Sequence, residues 1–251
     1  MTPKFLVLTG DGINCERETA KAFEKAGASA QIIHINDLLE RPKLISEFQG
    51  LAIPGGFSFG DELGSGQILA LKIRHGLGQE FSKFIDDKKP IIGICNGFQV
   101  LVKLGALPSP HKERSMSLAQ NSSGHFQNFW AKLNIDKKSV CKWTEGIDLE
   151  SIELPIRHGE GRVVFTKGQE ESIYQDLKNK GQIPFTYEED INGSYKKIAG
   201  VCDESGLILG MMPHPEAFIY NATFKNKSDK VFENGQGLLL FENIVRYLRN
   251  K

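Results

Sequence analysis

The sequence predicts a doubly wound, mostly parallel α/β sheet with additional antiparallel strands. Three observations carry that prediction. Short apolar runs alternate with helix-like segments through the first half, the pattern of parallel βαβ units. From about residue 125 the runs follow one another with one helical segment among them, which suits antiparallel strands on the sheet edge or a small second sheet. The C-terminal stretch is amphipathic at helical period, as a helix packed back on a sheet must be.

Taken in order, "KFLVLTG" is a short buried strand and "NCERETAKAFEKAG" a helix, with Asn14 as its N-cap and Gly27 as its stop. Ala20 and Phe23 share its inner face. "AQIIHI" is a second strand and "GLAIPGG" a third. A long helical region runs from Gln67 to Asp86, with a break expected near Gly76 and Gly78. "PIIGIC" is a fourth strand, with the helix "GFQVLVKLG" behind it. After Pro108 and Pro110 a polar stretch continues to Gly124. "HFQNFWAKLNI", "IELPIRHG", "RVVFT", "IPFTYEE", "KIAGVCD" and "LILGMMPHP" are strands, interrupted by a helix near Gln169 to Lys180 and a turn at Asn192 to Ser194. In the last helix Leu238, Phe241, Val245 and Leu248 share a face. No segment is long enough to be a linker, so residues 1–251 form one expected domain.

The charge is balanced, with 31 basic and 31 acidic residues, which gives no basis for a nucleic-acid or membrane-surface partner. No stretch approaches the ~20 apolar residues of a membrane span. The four cysteines are Cys15, Cys95, Cys141 and Cys202, and none belongs to a CxxC pair. That spacing predicts neither a metal site nor a disulfide framework, and it points to a reducing, cytoplasmic setting. The N-terminus is a strand followed by a glycine turn, unlike a signal peptide.

Chemistry concentrates in "PIIGICNGFQVL". Gly93-Ile94-Cys95-Asn96-Gly97 has the form of a nucleophile elbow, in which small residues two before and two after relieve a sharp strand-to-helix turn. The amide after the nucleophile can face an oxyanion, and the helix N-terminus favours a thiolate. The bland alternative is a buried cysteine under a tight glycine turn. Cys15 also precedes a helix but lacks the elbow glycines.

A cysteine nucleophile needs a base. His34 lies in an apolar strand, and His75, His111 and His125 in polar surroundings, leaving His158 and His214. His214 stands in "MMPHPE", directly after an apolar run, with Glu216 two residues on. The carboxylate can fix the imidazole tautomer while the other nitrogen faces the thiol. The alternative for the tripeptide alone is a rigid turn. Gly55 and Gly56, after the third strand, let backbone amides approach a ligand closely and supply a second oxyanion donor. The rival readings of that loop are a phosphate cradle, which the missing lysine disfavours, and a plain turn.

These stretches together resemble the class I (triad) glutamine amidotransferases, whose fold is flavodoxin-like. More narrowly they resemble the branch made up of glutaminase subunits of phosphoribosylformylglycinamidine synthase. The narrower resemblance rests on "PGGFSFGDELGSG", "CNGFQVL", "PIRHGEGR", "NGSYKKIAGVCDESGLILGMMPHPE" and "NCERETAKAF", covering nearly the whole chain. It implies Cys95 as nucleophile, His214 as general base and acid, and Glu216 as orienter. It also implies an oxyanion hole and substrate contacts among Gly55, Gly56, Phe57, Asn96, Gln99 and His158. The implied substrate is L-glutamine, and the implied partner a separate ATP- and Mg-using synthetase, with or without a small third subunit. No metal or cofactor is implied in this chain. Glutaminases serving other pathways lack "HGEGR", and a stand-alone γ-glutamyl hydrolase or a non-catalytic module are further alternatives. Ala217 replaces the basic residue common after PHPE, and "ILALKIRHGLGQEFSKF" and "FKNKSDKVFENGQG" exceed a minimal subunit.

Overall fold

In the computed structural model, which describes residues 1–225 and 234–251, the first half folds as its alternation requires. The elements are β1 (Lys4–Thr9), α1 (Glu16–Lys25), β2 (Ser29–His34), α2 (Ile35–Glu40), β3 (Gly50–Ile53), α3 (Gln67–Asp86), β4 (Ile91–Ile94) and α4 (Asn96–Leu104). The strands lie in the order β2-β1-β3-β4, all parallel. β3 and β4 are wholly buried, so a continuous apolar run, without alternation, is what each needs.

The second half adds β5 (Met116–Ala119), β6 (Gln127–Ile135), β7 (Ser151–His158), β8 (Arg162–Phe165), α5 (Glu170–Asn179), β9 (Phe185–Tyr187), β10 (Ile198–Cys202), β11 (Ile208–Met211) and α6 (Leu238–Asn250). β11 joins the sheet parallel to β4, and β10, β9, β6 and β7 continue it antiparallel. β5 and β8 form a separate antiparallel ribbon. Both expected alternatives, edge extension and a second sheet, therefore occur.

α1 packs on α6 across the sheet's first strands. Phe23 stacks on Phe5 with ring centroids 4.0 Å apart and meets Phe241 edge-on at 4.9 Å. Leu238, Phe241 and Val245 of α6 are buried, and Leu248 packs at the margin of the same core.

Four local expectations are corrected. Cys15, not Asn14, occupies the N-cap position of α1. α2 was not foreseen: its apolar period spans little more than a turn, and its cap is the His34 side chain accepting from the Asn36 amide at 3.2 Å. α3 is unbroken, because Gly76 serves helix packing; a Cβ there would lie 2.1 Å from Leu39 Cδ2 of α2. β5 lies inside the stretch read as polar loop, with only Met116 buried. Of the "FKNKSDKVFENGQG" extension, residues 226–233 lie outside the described residues.

One consequence positions the site. β1, β3, β4 and β11 run parallel, so their C-terminal ends share one edge of the sheet. The loops carrying Cys15, Gly55-Gly56, Cys95 and His214 leave from that edge, where ligands bind in open α/β sheets.

Candidate active site

Cys95 occupies the junction of β4 and α4 at φ 51°, ψ −104°, a backbone conformation that costs a non-glycine residue free energy. The elbow glycines make it possible. A Cβ on Gly93 would lie 2.5 Å from the Gly97 carbonyl oxygen, and one on Gly97 would lie 1.8 Å from that of Ile53. The Cys95 amide donates to the Met211 carbonyl at 2.8 Å, which ties the elbow to the end of β11. Its Sγ lies 3.5 Å from the carbonyl oxygen of Arg157.

From β11 the chain runs directly to His214. The His214 amide donates to the Pro155 carbonyl at 2.8 Å, and Pro215 opens a single 3-10 turn, Pro215–Phe218. That turn folds Glu216 back on the ring, with Oε1 2.6 Å from Nδ1 and both side chains buried. Burial opposes protonation of the imidazole, but the Glu216 carboxylate, aided by the thiols of Cys15 and Cys95, outweighs it and holds His214 well above the usual imidazole range. Nδ1 is committed to Glu216, whereas Nε2 is buried and meets no partner of hydrogen-bond geometry. The ring leans on the loop after β3, where a Cβ on Gly55 would come within 2.7 Å of His214 Cε1.

Sequence reasoning set Cys15 aside; the fold brings it to the same imidazole. Its Sγ is 3.2 Å from Asn14 Oδ1, and it would lie 3.3 Å from a Cβ on Gly55. Burial pushes the Cys15 thiol up, against the lowering effect of His214, so it is held protonated. It also lacks an elbow.

The loop after β3 supplies backbone donors. Gly56 adopts φ 143°, and a Cβ there would meet the Gly12 carbonyl oxygen at 2.7 Å. The amides of Gly56 and Asn96 take part in no hydrogen bond among the described residues, as donors reserved for a ligand would be. The Phe57 amide is spent on the Gly12 carbonyl at 2.8 Å and its ring is exposed, so it is no oxyanion donor. The Asn96 side chain locks this loop to the elbow: Oδ1 accepts from the Ser58 amide at 3.3 Å, and Nδ2 donates to Asp61 at 3.1 Å and to Gln99 Oε1 at 2.9 Å. Gln99 in turn donates to the Glu160 carbonyl, a bracing contact between α4 and the "HGEGR" loop.

His158 ends β7 and is buried. Asn121 gives both hydrogens of its amide nitrogen to the carbonyls of His125 and His158, at 3.0 and 2.9 Å. Its Oδ1 must then accept, so His158 Nδ1, 3.1 Å away, carries the proton. Burial, then the like charge of His214, lowers His158 to about 4, so its unpartnered Nε2 is a bare lone pair. Asn192 holds the same loop through the Gly161 carbonyl at 2.9 Å. His34, His75, His111 and His125 stay outside the site, the last three exposed.

Buried polar atoms without partners gather here: Ser58 Oγ, Arg157 Nε, His158 Nε2, Tyr187 Oη, His214 Nε2 and Glu216 Oε2. Burial, then the charge of Cys95, pushes the Tyr187 hydroxyl up. Burial opposes the charged Arg157 guanidinium, but the Glu216 carboxylate, with help from Cys15 and Glu18, outweighs it and raises the guanidinium pKa. Each unsatisfied buried group costs roughly 1–3 kcal/mol, so a cluster of them is suited to a polar ligand that supplies the missing partners. Tyr187, Arg157 and Asn121 were missed by sequence reasoning. Arg157 abuts the "HGEGR" motif, but Tyr187 sits in an ordinary strand pattern with no local signal.

The sequence profile of the CobB/CobQ-like glutamine amidotransferase domain matches residues 2–248. The phosphoribosylformylglycinamidine synthase subunit PurQ of Methanococcus maripaludis is 40% identical over 98% of both chains. The PurQ subunit of Dehalococcoides mccartyi is 41% identical over the same shares. Among solved structures, a chain of PurLQS from Thermotoga maritima superposes with a TM-score of 0.78 at 32% identity, covering 99% of this chain and 100% of that one. A glutamine amidotransferase from Thermotoga maritima, 16% identical with a TM-score of 0.53 and covering 86% of this chain and 77% of that one, shares the fold.

Proposed function

This chain belongs to the CobB/CobQ-like glutamine amidotransferase family, and from that premise we infer that it is the glutaminase subunit of phosphoribosylformylglycinamidine synthase in purine biosynthesis. It releases ammonia from L-glutamine and hands it to a separate synthetase subunit, which uses ATP and Mg to form the amidine. The similarity to PurQ subunits over nearly the full length of both chains, and to a chain of a PurLQS assembly, supports both halves of this reading.

The observation that carries the chemistry is the buried 2.6 Å contact between His214 Nδ1 and Glu216 beside the Cys95 elbow. The Cys95 thiolate attacks the carboxamide carbon of glutamine. Negative charge develops on the carboxamide oxygen, within reach of the Gly56 and Asn96 amides. The His214 imidazolium, stabilised by Glu216, gives its Nε2 proton to the departing nitrogen, and ammonia leaves. A γ-glutamyl thioester remains on Cys95. Neutral His214 then takes a proton from water as the water attacks the thioester, and glutamate departs. The lone pair on His158 Nε2 accepts from an N–H of the substrate, and Gln99 acts by bracing the loop that carries His158.

The chain works without a metal or cofactor of its own in this reading, in the cytoplasm where purines are made. No helix among the described residues is long and apolar enough to cross a membrane. The test is reaction with a glutamine-like diazo-ketone. Labelling confined to Cys95, with parallel loss of glutaminase activity, is expected; an unlabelled chain or label on Cys15 overturns the assignment.

A further inference from the structure

We propose that Cys15, His214 and Glu216 form a binding site for a soft divalent cation of the zinc class, and that the bound cation reversibly shuts off the glutaminase. The three residues come from distant parts of the chain, and no CxxC spacing announces them. A Cys15 sulfur, a His214 nitrogen and a Glu216 oxygen nevertheless lie within 4.8 Å of one another, all on buried residues. Zinc binds sulfur at about 2.3 Å and nitrogen or oxygen at about 2.0–2.2 Å, so donors around one ion sit roughly 3–4 Å apart. Small rotations of the side chains close that gap.

A second observation points the same way. His214 Nε2 and Glu216 Oε2 are buried with no hydrogen-bond partner, and the two residues are each 2% exposed. Beside a thiol, an unpartnered carboxylate oxygen is coordination capacity, and so is an unpartnered imidazole nitrogen once the cation has displaced its proton. The donor set of sulfur, nitrogen and oxygen suits zinc and its neighbours; calcium and magnesium prefer oxygen alone. Binding displaces the Cys15 thiol proton and any proton on the coordinating nitrogen, with no change of oxidation state.

Cys15 distinguishes this site from a metal bound to the catalytic cysteine. Its thiol takes part in no step of glutamine hydrolysis, yet lies within the cluster. A cation there takes His214 and Glu216 away from Cys95. The inhibitory consequence rests on the Cys95–His214–Glu216 reading; the binding does not.

The experiment has two arms. Cobalt(II) is titrated into the full chain as a spectroscopic probe, followed by zinc competition. The wild type and Cys95→Ser should show a thiolate-to-cobalt absorption band at one ion per chain. Cys15→Ser and Cys15→Ala, checked for folding by thermal melting, should lose the band and bind zinc at least about tenfold more weakly. In the second arm glutaminase activity of the subunit with its synthetase is measured against zinc, each variant relative to its metal-free rate. Wild type should be inhibited and recover with a chelator, and Cys15→Ser should resist. An unchanged cobalt band in folded Cys15→Ser, or its loss in Cys95→Ser, overturns the site. Binding through Cys15 without inhibition overturns the regulatory claim and counts against His214 and Glu216 as catalytic groups.

Discussion

Cys15 and Cys95 sit against the same imidazole, that of His214, yet only Cys95 stands on an elbow between a strand and a helix. Two thiols therefore neighbour one imidazole, and in the proposed mechanism the backbone distinguishes them. Cys95→Ala should abolish glutamine hydrolysis, whereas Cys15→Ala should leave it measurable. Steady-state glutaminase assays of the two variants check this, and the reverse pattern exchanges their roles.

The His214–Glu216 pair makes a two-part prediction. Removing a positioned acid–base group costs ~10²–10⁴ in rate, so His214→Ala should fall by at least that much, and Glu216→Gln by less. Glu216→Gln should also lower the His214 pKa, because it removes the charge that holds the imidazolium. Folding is linked with a definite sign. A raised imidazole pKa stabilises fully below the ordinary value of 6.5, and that contribution is lost as pH rises through the folded value. Glu216→Gln should therefore be most destabilising in acid. Histidine NMR titrations and urea melts across pH test both parts.

Gly56 tests the oxyanion loop. Loss of one oxyanion donor costs roughly 2.7–4 kcal/mol in the chemical step. At φ 143°, with Gly12 and Ile13 backbone atoms under 3 Å from any Cβ, even alanine must move the loop. Gly56→Ala should lower the single-turnover rate of thioester formation by about that amount and also lower the melting temperature. Normal turnover would reduce the loop to a plain turn.

How much of this was legible depended on whether the information was local. The Cys95 elbow and the His214-x-Glu216 pair are each written within a few residues, and β3 and β4 announce themselves as apolar runs because both their faces are covered. α2 is too short to show a period, and Gly76 looked like a break because its neighbour Leu39 is distant in sequence. Cys15 reaches His214 only because β1 lies beside β3, and β11 beside β4. Tyr187 arrives through an antiparallel strand order that no local pattern encodes.

His158 should leave a mark on stability. Its pKa is lowered from 6.5 to about 4, so the unfolded chain binds the proton more readily. Stability is then complete above 6.5 and is lost as pH falls to about 4, a change of roughly 3 kcal/mol. His158→Gln should flatten the acid limb of the stability curve relative to wild type and raise KM for glutamine more than it lowers kcat. Urea midpoints between pH 7 and pH 4, with kinetics at pH 7.5, decide it; a parallel acid limb removes His158 as its source.

The last prediction separates ammonia production from ammonia use. If the Cys95 site exists only to release ammonia, the synthetase partner still accepts ammonia from solution. A complex built with Cys95→Ala should form no amidine from glutamine, yet form it from ammonium salt at alkaline pH, where more of the salt is free ammonia. Elbow strain complicates the variant little, since alanine has the same Cβ as cysteine at φ 51°. Intact assembly is verified by size-exclusion chromatography before either nitrogen source is supplied. Loss of both activities in an assembled complex would mean that Cys95 also supports the synthetase. Retention of the glutamine-dependent reaction would remove Cys95 as nucleophile and leave Cys15, the other thiol on His214, to be tested in its place.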